Sequence, residues 1–257
     1  MTGISRPQPT GHVALITGAA RGIGAAVAER LARDGHRVIL LDRLDDVRAT
    51  AEGLAAQGLD AAAEVLDLGD LAGLGPRITQ LSQREGIDIV VNNAGISPKH
   101  NGKRAPIAET ALDEWQRVLD INLTAPFIIC QATLPVMRAR GWGRYIMMSS
   151  QAARTGSRVA GSHYAASKAG MVAFARSLAI EVGGQGITAN CIAPGRIDTP
   201  MAQEAGAAAN AAYVAAIPAG RIGTPADVAD AVSFYAGNGS GFVTGTVMDV
   251  NGGHYMG

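Results

Sequence analysis

Neither sign of charge prevails in this sequence: 22 Lys and Arg are balanced by 22 Asp and Glu. A neutral chain offers no global field for nucleic acid or an anionic membrane, so neither is expected as a partner. Cysteine is scarce, with only Cys130 and Cys191, each inside an apolar stretch (FIICQA and ANCIAP). That density excludes a disulfide framework and fits buried thiols in a reducing compartment. Aromatic residues make up only 4%, while Ala and Gly are abundant, a composition suited to helices packed closely on a sheet. No apolar run reaches the roughly 20 residues that a bilayer span needs. The opening MTGISRPQPTG has no apolar core of signal-peptide length. A cytoplasmic location is therefore expected. His12, His36, His100, His163 and His254 lack metal-ligand spacing, so no catalytic metal is expected.

What is present is an alternation. The runs HVALIT (12–17), RVILLD (37–42), AAAEVLDL (61–68), IDIVVNN (87–93), YIMMSS (145–150), ITANCIAP (187–194) and TVMDV (246–250) are separated by helical patterns. Ile23, Val27 and Leu31 share one helix face, as do Val47, Ala51 and Leu54. Strands that are apolar throughout are buried on both faces. Strand–helix alternation implies a parallel sheet with right-handed crossovers. The expected architecture is α/β, a doubly wound parallel sheet of Rossmann type, with its ligand at the carboxyl ends of the strands. No linker interrupts the 257 residues, so a single domain is expected, with a flexible N-terminus over 1–10. The Ala-rich stretch 199–222 reads as a helical flap over the site.

The first strand runs into Thr17-Gly18-Ala19-Ala20-Arg21-Gly22-Ile23-Gly24 and then a helix. Glycines let such a turn approach a pyrophosphate, and the helix N-terminus offers it free N–H groups. The second strand ends in Asp42, about 20 residues further on, where a carboxylate accepts ribose hydroxyls and repels a 2′-phosphate. NAD is thus expected rather than NADP, although Arg21 and Arg43 lie within reach of a 2′-phosphate.

These residues resemble the short-chain dehydrogenase/reductase family. Thr17–Gly24 matches its TGxxxGxG pattern. Asn92-Asn93-Ala94-Gly95, Asn122 in VLDINLTAPF and Ser150 match in order, as do Tyr164-Ala165-Ala166-Ser167-Lys168 (YxxxK) and Pro194-Gly195-Arg196-Ile197-Asp198-Thr199. The resemblance implies a hydride transfer between nicotinamide and a secondary alcohol or ketone. It implies Asn122, Ser150, Tyr164 and Lys168 as the catalytic set, with Tyr164 as general acid/base. Asn122 would position a water that links Lys168 to solvent. Cofactor contacts would come from Gly18, Arg21, Gly22, Ile23, Gly24, Asp42, Arg43, Asp67, Leu68, Asn93, Ala94, Gly95, Tyr164, Lys168, Pro194, Gly195, Ile197 and Thr199. The spacing from Ser150 to Tyr164 is about one residue longer than the commonest in the family. Ser149 is adjacent, and Ser150 is taken as the second of the pair.

Tyr164 and Lys168 are i and i+4, so they share a helix face. A free Tyr has a pKa of about 10, and acting near neutral pH requires it to fall by about 3. A nearby ammonium and a nicotinium charge both favour the phenolate. Gln151, His163 and Arg196 are candidate substrate contacts. Lys99, His100, Lys103 and Arg104 after the fourth strand, with Arg154, Arg158 and Arg196, would focus positive potential on an anionic substrate. A 3-oxoacyl-acyl-carrier-protein reductase, a sugar or polyol dehydrogenase and a non-enzymatic NAD-binding regulator remain alternatives. The resemblance also implies a homotetramer or homodimer built on the helices flanking the fifth strand, with VNGGHYMG at the C-terminus reaching a neighbouring subunit.

Overall fold

The computed structural model describes residues 11–157, 159–199 and 213–257. The expected flexible N-terminus, Arg158 and most of the expected flap lie outside these residues. The chain runs β1 (Val13–Thr17), α1 (Gly22–Arg33), β2 (Arg37–Asp42), α2 (Val47–Ala55), β3 (Ala61–Val65), α3 (Leu71–Glu85) and β4 (Ile89–Asn92). It continues through α4 (Leu112–Leu119), α5 (Ala125–Arg140), β5 (Gly143–Met148), α6 (Ser162–Val182), β6 (Ile187–Pro194), α7 (Pro225–Ala236) and β7 (Val247–Val250). The seven strands are all parallel, in the order β3-β2-β1-β4-β5-β6-β7. The expected doubly wound sheet is present in one domain.

Side chains alternate across the strands, and each set feeds its own core. Leu15, Val90, Tyr145 and Met147 pack with Ile129 of α5 and Met171 of α6. Their neighbours Ile16, Val91, Ile146 and Met148 pack on the other face with Val27 and Leu31 of α1 and Val228 and Val232 of α7. The central strands are therefore mostly apolar on both faces, with Asn92, Arg144, Thr188 and Asn190 as buried polar exceptions. Truncating one of these fully buried residues, such as Leu31, costs about 2–5 kcal/mol. The chain winds outward from β1 in both directions, so a crevice opens between the carboxyl ends of β1 and β4.

No continuous apolar run spans a bilayer, but one helix is long and apolar on average. The helix over Leu112–Arg140 is 29 residues long and apolar enough to cross a bilayer by length and composition. It continues from α4 to α5 through a wide turn at Asp120–Thr124. Its most apolar stretch is half buried inside the domain, with Ile129, Cys130 and Met137 in the core. The hydrophobicity serves packing on the sheet. Cys130 and Cys191 are buried and unpaired. Burial raises both thiol pKa values, that of Cys191 to about 12.

Candidate active site

The crevice is stitched together at its base. Thr17 Oγ1 accepts the N–H groups of Asn93 and Ala94, both at 3.0 Å. Asn93 Nδ2 donates to the carbonyls of Thr17 (2.9 Å) and Gly18 (3.1 Å). Gly18 has φ +68°, and a Cβ there would sit 2.9 Å from Ala94 Cα. A Cβ on Gly24 would lie 2.1 Å from the Gly18 carbonyl oxygen. Neither position admits a side chain. Gly22 is also left-handed, at φ +62°. Arg21 caps α1 without a side-chain hydrogen bond, and the first turn carries no acidic residue. The helix N–H groups there have no carboxylate competing for them. Arg21 and Arg43 are exposed and Ile23 is half-buried.

Asp42 flanks this turn. Its Oδ2 accepts Ala20 N–H and its Oδ1 accepts Leu44 N–H, both at 3.1 Å. Each oxygen retains a second lone pair. Asp67 lies beyond the end of β3 rather than within it, and Leu68 beside it is buried. Asp67 Oδ1 accepts Gly69 N–H at 2.8 Å, and its Oδ2 is 3.7 Å from the Arg117 guanidinium. Backbone donors at the turn, a fixed carboxylate beside it and the small residues Ala94 and Gly95 fit a dinucleotide. A Cβ on Gly95 would come within 3.2 Å of both Asn122 Oδ1 and Lys168 Nζ.

Asn122, Ser150, Tyr164 and Lys168 are brought together between β4, β5 and α6. Asn122 sits in the wide turn, fully buried. Its Oδ1 accepts Ile96 N–H at 2.8 Å, and its Nδ2 donates to Ile96 O (3.0 Å) and Ser167 Oγ (3.1 Å). The two serines diverge. Ser149 Oγ donates to Lys168 O at 2.9 Å, whereas the Ser150 side chain lies on the Tyr164 side and favours its phenolate. Ser150 Oγ also accepts Ala152 N–H at 3.1 Å. Lys168 Nζ donates to Met148 O at 2.7 Å and lies 5.7 Å from the Tyr164 ring centroid.

The electrostatics correct one expectation. Burial raises the Tyr164 pKa, and the Ser150 hydrogen bond only partly opposes this. Burial lowers that of Lys168 to about 8. In the chain alone, desolvation is the larger influence on Tyr164, so the phenol is held neutral.

The stretch after β6 is pinned by backbone bonds. Gly195 N–H donates to Val250 O at 3.0 Å, Gly223 N–H to Arg196 O at 2.9 Å, and Asp198 N–H to Gly223 O at 2.8 Å. Pro194 ends β6, Ile197 is buried, and Thr199 Oγ1 donates to Ile197 O at 3.5 Å. Beside this stretch, Gln151 Nε2 lies 2.7 Å from His254 Nδ1. His254 meets the Tyr213 ring at 5.5 Å between centroids, and the Arg196 guanidinium lies 5.2 Å over the same ring. Tyr213 and His254 were not legible as site residues, because their partners are remote in sequence.

His163 is removed from the substrate contacts. It is 1% exposed; its Nδ1 accepts Tyr164 N–H at 2.7 Å, and its Nε2 is 2.9 Å from Glu114 Oε1. The expected ring of cations is also reduced. Lys99 donates to Val159 O, His100 pairs with Glu114 at 2.7 Å, and Arg154 pairs with Asp249 at 3.3 Å. Lys103 and Arg104 are exposed at the loop tip.

Residues 18–255 match the family described as Enoyl-(Acyl carrier protein) reductase. The chain is 39% identical over 248 residues to the 3-oxoacyl-[acyl-carrier-protein] reductase of Pseudomonas aeruginosa, spanning 96% of this chain and 98% of that one. A 3-oxoacyl-[acyl-carrier protein] reductase of Brucella melitensis solved with bound NAD is 41% identical, with a TM-score of 0.90 and coverage of 97% and 93%. A Beutenbergia cavernae protein provisionally assigned as an NAD(P)-dependent gluconate 5-dehydrogenase, with NADP at low occupancy, is 37% identical. Its TM-score is 0.89, with coverage of 96% and 99%. Matches of this extent, on a sheet that carries the family's motifs in order, establish that the chain belongs to the short-chain dehydrogenase/reductase family of oxidoreductases.

Proposed function

We propose that this oxidoreductase interconverts a secondary alcohol and a ketone with NAD(H), using Tyr164 as general acid/base. The observation that carries this reading is the half-buried Tyr164 set beside Ser150, with the buried Lys168 Nζ 5.7 Å from its ring centroid. Gly18, Gly22, Ile23 and Gly24 would hold the pyrophosphate of the dinucleotide and Asp42 its ribose, with Asp67 and Leu68 at the adenine. Asn93, Ala94, Gly95, Pro194, Gly195, Ile197 and Thr199 would line the remainder. When bound, a nicotinamide dinucleotide supplies or accepts the hydride.

In the reductive direction, the neutral Tyr164 phenol donates its proton to the carbonyl oxygen. Ser150 Oγ accepts Ala152 N–H, which leaves its own proton to hold the same oxygen. Lys168 then favours the phenolate that remains, and its other contacts would be with the nicotinamide ribose. Asn122 would hold the water through which the proton is replaced. Oxidation reverses these roles. Initial rates over a panel of ketones and alcohols, including a 3-oxoacyl thioester and hydroxy acids, with both cofactors, test this reading. Turnover abolished by Tyr164→Phe supports it. Cofactor binding without turnover on any member would favour the regulatory alternative.

A second reading concerns the substrate. Gln151, His254, Tyr213 and Arg196 form a connected polar set, which favours a compact substrate bearing a carboxylate or sulfonate over a long acyl chain. Arg196→Met should then lose rate on an anionic ketone more than on a neutral one of similar size. That difference should shrink as salt rises, and equal losses on both would remove the reading. The buried unpaired thiols are consistent with work in a reducing cytoplasm.

A further inference from the structure

The Glu114 carboxylate of α4 binds two histidines from opposite sides. Oε1 is 2.9 Å from His163 Nε2, and Oε2 is 2.7 Å from His100 Nε2. His163 lies in the first turn of α6, immediately before Tyr164. Its Nδ1 accepts the Tyr164 N–H, so the ring proton sits on Nε2 and is donated to Glu114. That N–H is one of the groups at a helix start that lack an intrahelical partner, and Gly161 at the N-cap supplies no side chain to satisfy it. A Cβ on Gly161 would lie 2.6 Å from His163 Cε1. The imidazole therefore lies over the bare Cα of Gly161, at the start of the helix.

His100 belongs to the loop that follows β4 at the carboxyl edge of the sheet. The loop tip is a small hairpin: His100 and Lys103 exchange backbone hydrogen bonds at 2.7 and 3.0 Å. Asn101 and Gly102 between them are both left-handed, the pattern of a tight two-residue turn. A second tie runs from Lys99 to Val159 O, in the segment that leads into α6. The loop and the start of the Tyr164 helix are thus held at two points.

We propose that Glu114 is a positioning residue, joining the loop at the site mouth to the helix turn that aims Tyr164 through a His100–Glu114–His163 bridge. The inference rests on the reading of Tyr164 as general acid/base. A displacement of the loop would thus reach the backbone of Tyr164 through one carboxylate.

The test pairs kinetics with amide hydrogen exchange on the intact protein. His163→Ala should lower kcat on the order of tenfold, a modest share of what small misplacement of a reacting group can cost, with NADH affinity retained. His163→Asn keeps an acceptor and a donor and should recover most of that loss. His100→Ala should lower kcat in the same sense. The double variant His100→Ala/His163→Ala should be no worse than His163→Ala, because both act through Glu114. In His100→Ala, and in Glu114→Gln should His163→Ala fail to fold, the peptide spanning Tyr164 should exchange faster than in the wild type. Multiplying effects of the two histidines, or unchanged exchange at that peptide in His100→Ala, would overturn the inference. A wild type that turns over no substrate but still shows the exchange coupling would defeat the enzymatic reading while leaving the bridge in place.

Discussion

Tyr164 and Lys168 illustrate how burial sets the chemistry before any ligand arrives. Lys168 is buried and Tyr164 half-buried, and desolvation pushes each toward its neutral form: the phenol upward, the ammonium down to about 8. A neutral phenol is the form needed to protonate a ketone, so burial prepares the reductive direction. Tyr164→Phe keeps the ring and removes the donor. Turnover should fall by about 100-fold or more, while NADH titration gives nearly unchanged affinity. Lys168 has a consequence for stability. Below about pH 8 it is charged in both folded and unfolded chains, and folding bears the full cost of burying it. Between about 8 and its unfolded value of 10.5, the unfolded chain binds the extra proton, so stability rises with pH. Relative to Lys168→Met, the wild type should gain in urea midpoint as pH is raised from about 7 to about 9.5, across this window. A constant difference would mean that Lys168 is not desolvated as the structure has it. At Asp42, the carboxylate is fixed by Ala20 and Leu44 N–H groups, and like-charge repulsion should disfavour a 2′-phosphate. Asp42→Ala should narrow the ratio of kcat/KM for NADH over NADPH. A wild type that prefers NADPH would turn attention to Arg21 and Arg43.

Among elements, α7 supports the pinned stretch after β6. Its Thr224 caps the helix in a reciprocal box with Asp227, and Arg221 binds the same carboxylate at 2.7 Å. The Arg221 guanidinium holds the Asp227 carboxyl well below its usual range. Gly223, next to the cap, carries the backbone bonds to Arg196 and Asp198. Thr224→Ala should cost about 1 kcal/mol by urea denaturation, and should weaken cofactor binding as Ile197 and Thr199 loosen. Elements of this kind were legible in sequence to different degrees. β1, β4, β5 and β6 stood out because both of their faces feed a core and their runs are mostly apolar. The edge was less clear: VLDL reads as strand, but β3 ends at Val65 and Asp67 falls in a turn. The wide turn at Asp120–Thr124 surrounds Asn122, whose side chain bonds Ile96. That long-range contact leaves no trace in local periodicity. His163 was misread because it adjoins Tyr164 in sequence, while successive helix residues point about 100° apart. Glu114 and His254 escaped notice because their partners are 49 and 103 residues away.

At the scale of the whole molecule, exposed large apolar side chains among the described residues lie on several faces, two of which bear on assembly. On α5 and α6, Phe127 meets Phe174 edge-on, with Phe127 partly exposed and Ile180 well exposed. On the other side, Phe234 of α7 is partly exposed, and Phe242 in the turn before β7 and Met256 near the C-terminus are largely in solvent. A closed tetramer of dihedral symmetry needs two distinct self-complementary faces, and these surfaces supply two. The first coincides with the helices flanking β5, as the family resemblance implies. The tail that carries His254 is itself anchored, with Tyr255 lying 5.2 Å beneath the Arg154 guanidinium. We therefore expect the protein to sediment as a tetramer. Phe127→Glu/Ile180→Glu should leave a dimer held by the second surface, and Phe234→Glu/Phe242→Glu a dimer held by the first. Combining all four should give monomers. Sedimentation velocity decides this. A wild type that runs as a monomer, or substitutions on either surface that leave its size unchanged, would show that these residues do not hold an assembly together.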